Sequence, residues 1–269
     1  MSNIGLPVPT FSNIEYDRVD DISLLLDLYL PERAEAPVPA VVWVHGGGWN
    51  SGDKVDDFLP LHLANSDFAL VSINYRLSGE AIFPANVEDC KTAVRWLRAN
   101  AGKYNLDPDR FGLVGASAGG HLVALLGLTG DVSELNGNRA YPDHSSAVQA
   151  VCDFCGPTDL RRMGIHEHKD QSPVLYELTS EYLGGPVEER MELAWQASPL
   201  RYVKGKCPPF LIIHGEADDI VPVEEAHLLH DTMVKEGHDL KLIIREGIGH
   251  DCMEGLEREV QAFFAKTLI

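Results

Sequence analysis

The chain has 269 residues, 45% of them hydrophobic, enough to build the full core of one large domain. Its 41 acidic against 22 basic residues give a formal charge of -19, which repels a phosphate backbone and argues against nucleic acid as a partner. No apolar stretch is long enough to span a bilayer, and Met1 to Asp20 holds no basic region followed by an apolar run, so no membrane partner is expected and no secretory signal is visible.

Apolar runs alternate with helical patterns along the chain. An edge hairpin, Ile14 to Asp17 and Ile22 to Leu30, precedes a strand predicted over Val38 to Val44. A glycine run, His45-Gly46-Gly47-Gly48-Trp49, follows it directly. With no Cβ in the way, such a run lets backbone N–H groups turn toward a ligand, as an oxyanion hole requires. The next strand is predicted over Phe68 to Tyr75, and Val94, Trp96 and Leu97 give Val87 to Ala101 a helical pattern.

Arg110 to Val114 then reads as a strand that must turn sharply into a helix starting near Ala118 and running to Leu128. Gly115-Ala116-Ser117-Ala118-Gly119 fills that turn, the pattern of a nucleophile elbow whose strained backbone exposes the serine hydroxyl. Ala147 to Phe154 reads as a buried strand, and Pro209 to His214 and Asp239 to Arg245 as two more. Alternation of this kind implies a mostly parallel central sheet with helices on both faces. The exception is Gly156 to Tyr202, with mixed helical character and short helices predicted over Glu177 to Leu183 and Glu188 to Ala197; a lid or cap insertion is expected there (156–202) within a single domain, 1–269.

A serine hydroxyl is a weak nucleophile at neutral pH, so it needs a histidine base, itself oriented by an acid. Two strand-end loops supply both. Gly215-Glu216-Ala217-Asp218-Asp219 follows one strand and Gly247-Ile248-Gly249-His250 the next, in the chain order Ser117, acid, His250 of an α/β-hydrolase. Chemistry alone leaves Asp218 and Asp219 both open as the acid.

The five cysteines, Cys90, Cys152, Cys155, Cys207 and Cys252, have no framework spacing. Cys152 and Cys155 match C-x-x-C formally, but with no second pair they read as two core cysteines. His166 with His168, and His227 with His230, are too sparse for a metal site and read as surface histidines.

Val44 to Trp49, Ile73-Asn74-Tyr75-Arg76-Leu77-Ser78, Phe83-Pro84, Glu88-Asp89, Asp107 to Arg110 and Ser117 to Leu122 together resemble the BD-FAE-like esterases. These are an α/β-hydrolase group of feruloyl and acetylxylan esterases, neighbouring the hormone-sensitive-lipase-like and kynurenine formamidase families. The resemblance implies an α/β-hydrolase fold with a mostly parallel central sheet, flanking helices and a short lid. It also implies ester hydrolysis through an acyl-enzyme, without metal or organic cofactor, on a small-molecule or oligosaccharide ester carrying a short acyl (acetyl) or feruloyl group. Similarity to the superfamily's His-Gly-x-x-Asp-x-x-Val-Pro loop selects Asp218 over Asp219. By the same resemblance, the N–H groups of Gly47, Gly48 and Ala118 form the oxyanion hole, with His45 bracing the loop. Trp49 is expected to wall the substrate pocket, a core position being the alternative. An arylformamide hydrolase, with the same triad and a different pocket, and a non-catalytic binding module on the same fold remain the rival expectations.

Overall fold

In the computed structural model, residues 8–32, 36–64, 67–130, 132–137, 139–165 and 172–269 are described. His166 and His168 lie outside them.

The fold is an α/β-hydrolase: one eight-stranded sheet in the order β1-β2-β4-β3-β5-β6-β7-β8. The hairpin β1 (Phe11–Val19) and β2 (Ile22–Tyr29) is antiparallel, and β2 joins β4 (Ala69–Ile73) in the same sense. From β4 through β3 (Val38–Val44), β5 (Leu106–Ala116), β6 (Ala150–Phe154), β7 (Phe210–Gly215) and β8 (Leu240–Arg245), every pairing is parallel.

Central β3 shows why its sequence is an unbroken apolar run. Ala40, Val42 and Val44 pack into one core and Val41 and Trp43 into the other, so both faces are buried under helices. The first core lies under α1 (Ala85–Asn100), α2 (Ala118–Leu128) and α5 (Glu224–Lys235), the second under α6 (Glu257–Leu268). Between β6 and β7 the chain forms α3 (Pro173–Leu183) and the short α4 (Met191–Gln196). No helix among the described residues is long and apolar enough to cross a membrane.

Helix α1 starts two residues before the predicted Val87, directly after Pro84, where a missing N–H costs nothing. Strand β5 begins earlier than predicted because Leu106 pairs with Val38, ahead of an irregularity in the ladder. Arg76 and Asp89, two residues of the motif set, form a bidentate ion pair at 2.8 Å from each oxygen, bracing α1 against the chain after β4. Arg139 joins the same carboxylate at 2.8 Å and ties it to Asp17 on β1.

Candidate active site

Four loops leave the carboxyl ends of β3, β5, β7 and β8, where open α/β sheets place their ligand sites. They carry the glycine run, Ser117, Asp218 and His250 respectively.

Ser117 joins β5 to α2 with φ 57° and ψ -120°, a left-handed position that few non-glycine residues take. Its N–H donates to the Phe154 carbonyl at 2.8 Å, and its own carbonyl accepts from His121 N–H at 2.9 Å. The turn closes only because its flanks lack side chains. A Cβ at Gly119 would sit 2.0 Å from the Val44 carbonyl oxygen, and one at Gly115 would sit 2.5 Å from that of Gly119. Both obstacles are backbone, so neither can swing aside. Gly119→Ala is therefore expected to lose about 3 kcal/mol of stability, read as a lower urea midpoint or a failure to accumulate soluble protein; an unchanged midpoint would contradict the packing described.

The glycine run is held as a tight turn. Gly47 (φ 97°) and Gly48 (φ 60°) occupy left-handed backbone, and the Gly47 carbonyl accepts from the N–H groups of Asn50 at 3.2 Å and Ser51 at 3.0 Å. His45 is buried beneath it, stacked on Tyr75 at 4.4 Å, with Nδ1 2.8 Å from the Gly46 carbonyl. Ala118 is the first residue of α2, whose first-turn N–H groups have no acceptor within the helix. Gly47, Gly48, Ser117 and His250 all line one cavity of about 610 Å³.

Trp49 is not part of that wall. It is 1% exposed, stacks on Tyr182 at 4.6 Å, and donates its indole N–H to His121 Nδ1 at 3.1 Å. Its left-handed backbone (φ 62°) turns the side chain under the loop, so the pocket expectation is corrected to a core position. The cavity's apolar wall comes instead from Val55, Phe58, Val174, Leu178, Ile220 and Met253.

Asp218 and His250 meet directly. His250 Nδ1 lies 2.7 Å from Asp218 Oδ2, while the other carboxylate oxygen accepts from the N–H groups of Ile220 and Val221, each at 2.9 Å. The Asp218 side chain is fully buried and that of His250 is 20% exposed. Burial by itself would raise the Asp218 pKa. Hydrogen bonds from His214 and His250, with the His250 charge, outweigh it and hold the carboxyl well below the usual carboxylate range. Asp219 is exposed, next to the pair and outside it.

The roles of two residues at the site escaped the sequence reading. His214, on β7, places Nε2 3.2 Å from Asp218 Oδ2 and 2.8 Å from the Val221 carbonyl, so the acid is gripped by a second imidazole. Burial disfavours its charged form, but the hydrogen bonds to Asp218 and the Val221 carbonyl raise its pKa overall. Cys155 is the other. Cys152 is a core residue as expected, whereas Cys155, although buried, lines the cavity.

The segment expected as a cap supplies Val174 and Leu178 from α3, and Leu178 lies so close to Gly48 that a Cβ there would collide with it at 2.7 Å. Its base is fixed by Glu225 of α5, which is fully buried, accepts from the N–H groups of Thr158 at 2.8 Å and Asp159 at 2.9 Å, and pairs with Arg162 at 2.9 Å.

Residues 26–233 match the family model described as BD-FAE. The chain is 33% identical to a probable carboxylic ester hydrolase, LipM, of Mycobacterium tuberculosis, over 81% of this chain and 50% of that protein. It thus spans about half the length of the curated relatives it matches. Among solved structures, a truncated carbohydrate esterase from gut microbiota superposes with a TM-score of 0.84 at 29% identity, covering 95% of each chain. Esterase Est2 of Thermogutta terrifontis, solved with butyrate bound, gives 0.76 at 28% identity over 94% of this chain and 91% of that one.

Proposed function

The chain belongs to the BD-FAE family of α/β-hydrolases, and from that premise we propose that it is a serine carboxylic ester hydrolase acting through an acyl-enzyme on short acyl esters. The observation that carries this reading is the part-buried contact of 2.7 Å between Asp218 and His250, with His250 facing a cavity that Ser117 and the glycine run share. Ser117 attacks the ester carbonyl as His250 takes its proton, and Asp218 fixes the imidazole tautomer and stabilises the imidazolium. The N–H groups of Gly47, Gly48 and Ala118 hold the developing oxyanion. His250 then protonates the departing alcohol, and water repeats the cycle to release the acid.

The substrate carries an acetyl to butyryl group, or a feruloyl group, on a small-molecule or oligosaccharide alcohol. Two features support this class: the butyrate bound by Est2 and the carbohydrate esterase similarity. Residues 156–202 act as the lid of the single domain, pressing Leu178 against the oxyanion loop. Catalytic efficiency, kcat/KM, along a series of p-nitrophenyl esters below their micelle concentrations is expected to peak at short acyl chains and fall steeply beyond about eight carbons, because a small pocket cannot desolvate the added methylenes. A maximum at long chains would reject the short-acyl class. Methyl ferulate, acetylated xylan and N-formylkynurenine complete the panel; a strong preference for the last would make the chain a formamidase instead.

A further inference from the structure

Cys155 closes β6 in left-handed backbone (φ 45°), its N–H donating to the Ile213 carbonyl at 2.9 Å and its Sγ lying 3.6 Å from the His250 carbonyl. Cys252 approaches the same two carbonyls from the other side. Its N–H donates to that of His250 at 2.8 Å, and its Sγ lies 3.9 Å from that of Ile213. The two strand ends are thereby latched together around the Asp218–His250 pair. As a result, the Cys155 sulfur, a carboxylate oxygen of Asp218 and a ring nitrogen of His250 all lie within 4.8 Å of one another.

Zinc holds nitrogen and oxygen ligands at about 2.0 Å and sulfur at about 2.3 Å in a tetrahedron, so donors this close are within reach of one ion once the bond between His250 Nδ1 and Asp218 Oδ2 gives way to it. A thiolate, an imidazole and a carboxylate suit a thiophilic borderline ion, and disfavour magnesium or calcium, which take oxygen donors. Cys155 and His250 both line the cavity, His250 with a fifth of its side chain exposed, while Asp218 lies fully buried behind it, so an ion would enter from the cavity side. Asp53, Asp56, Asp57 and Asp251 line the same cavity, with no lysine or arginine among its lining residues, and such a lining concentrates cations.

We propose that Cys155, Asp218 and His250 form a binding site for a thiophilic divalent cation of the zinc class, and that its occupancy switches the hydrolase off. The ion takes lone pairs from Sγ, from the carboxylate and from His250 Nδ1. The thiol proton passes to solvent, and the imidazole stays neutral with its single N–H moved to Nε2, so no electron is transferred. An Nε2 that carries hydrogen cannot accept the Ser117 proton, and turnover stops. The inhibition rests on the proposed triad; the binding does not.

The test adds zinc chloride to the full chain during p-nitrophenyl acetate hydrolysis. Activity is expected to fall and to return with EDTA, and Cys155→Ser is expected to raise the half-inhibiting concentration by about tenfold or more. Cys207→Ser, away from the cavity, is expected to leave that concentration unchanged. Cobalt(II) is expected to give a thiolate-to-metal charge-transfer band with the natural chain and with Ser117→Ala, and none with Cys155→Ser. Equal inhibition of Cys155→Ser, or no thiolate band, overturns the site. Should Cys155→Ser not fold, zinc protection of Cys155 from iodoacetamide, read by peptide mass, decides, and absence of protection overturns it. A chain with the cobalt band and the protection but no ester hydrolysis would refute the hydrolase reading while leaving the site standing.

Discussion

Ser117→Ala is expected to lower ester turnover by about 10⁴-fold or more while leaving the fold intact. What holds the elbow is backbone: the bonds from Ser117 N–H to Phe154 and from His121 N–H to Ser117, and the clearances at Gly115 and Gly119. None involves the hydroxyl. Alanine meets the left-handed φ of 57° with the same Cβ that serine already carries, so the thermal midpoint should barely move. The chemistry has no substitute, because the glycine-run amides and the imidazole can polarise a carbonyl but cannot form the acyl bond. The residual rate is that of a positioned water beside an oxyanion hole. A purified variant with a normal melting curve and near-normal turnover of p-nitrophenyl acetate would remove Ser117 from the mechanism.

The parts of this molecule that were legible in the sequence are those written in consecutive residues. Val38 to Val44 announces a strand buried on both faces because every side chain in it is apolar, and β3 has those bounds. The elbow was readable because its steric demands fall on the immediate neighbours of Ser117. Where the relevant neighbour is remote, the sequence is silent. Trp49 follows the glycine run and so looked like a pocket wall, yet its position is decided by Tyr182 and His121, which arrive from other elements. His214 read as the apolar strand's last residue, and only the return of the Asp218 loop across the strand end brings its Nε2 to the carboxylate. Cys155 paired in the eye with Cys152, three residues away. Cys155 lies just past the end of β6, shares the core on the same side of the sheet with Cys152, and from its left-handed backbone (φ 45°) reaches the His250 loop beside Cys252.

The two adjacent aspartates give the sharpest contrast between neighbours. Asp218→Asn is expected to lose about 10⁴-fold in turnover, and Asp219→Asn almost none. In the native chain every donor around Asp218 is matched to an acceptor-only carboxylate: Ile220 and Val221 N–H on one oxygen, His250 Nδ1 and His214 Nε2 on the other. An asparagine amide presents one oxygen and one NH₂, so one side of this set must face donor against donor. Keeping the oxygen on the two backbone N–H groups turns the NH₂ toward His250. The imidazole then relieves the clash by moving its proton to Nε2, the tautomer that cannot accept from Ser117. Holding the oxygen toward His250 instead leaves two buried backbone donors opposite an NH₂, which costs stability and loosens the loop. Asp219, exposed and outside this net, has nothing comparable to lose. The comparison is made on kcat for p-nitrophenyl acetate, with circular dichroism to show that both variants fold. A large loss at Asp219→Asn with little at Asp218→Asn would transfer the role to the second aspartate and overturn the geometry that assigns it to the first.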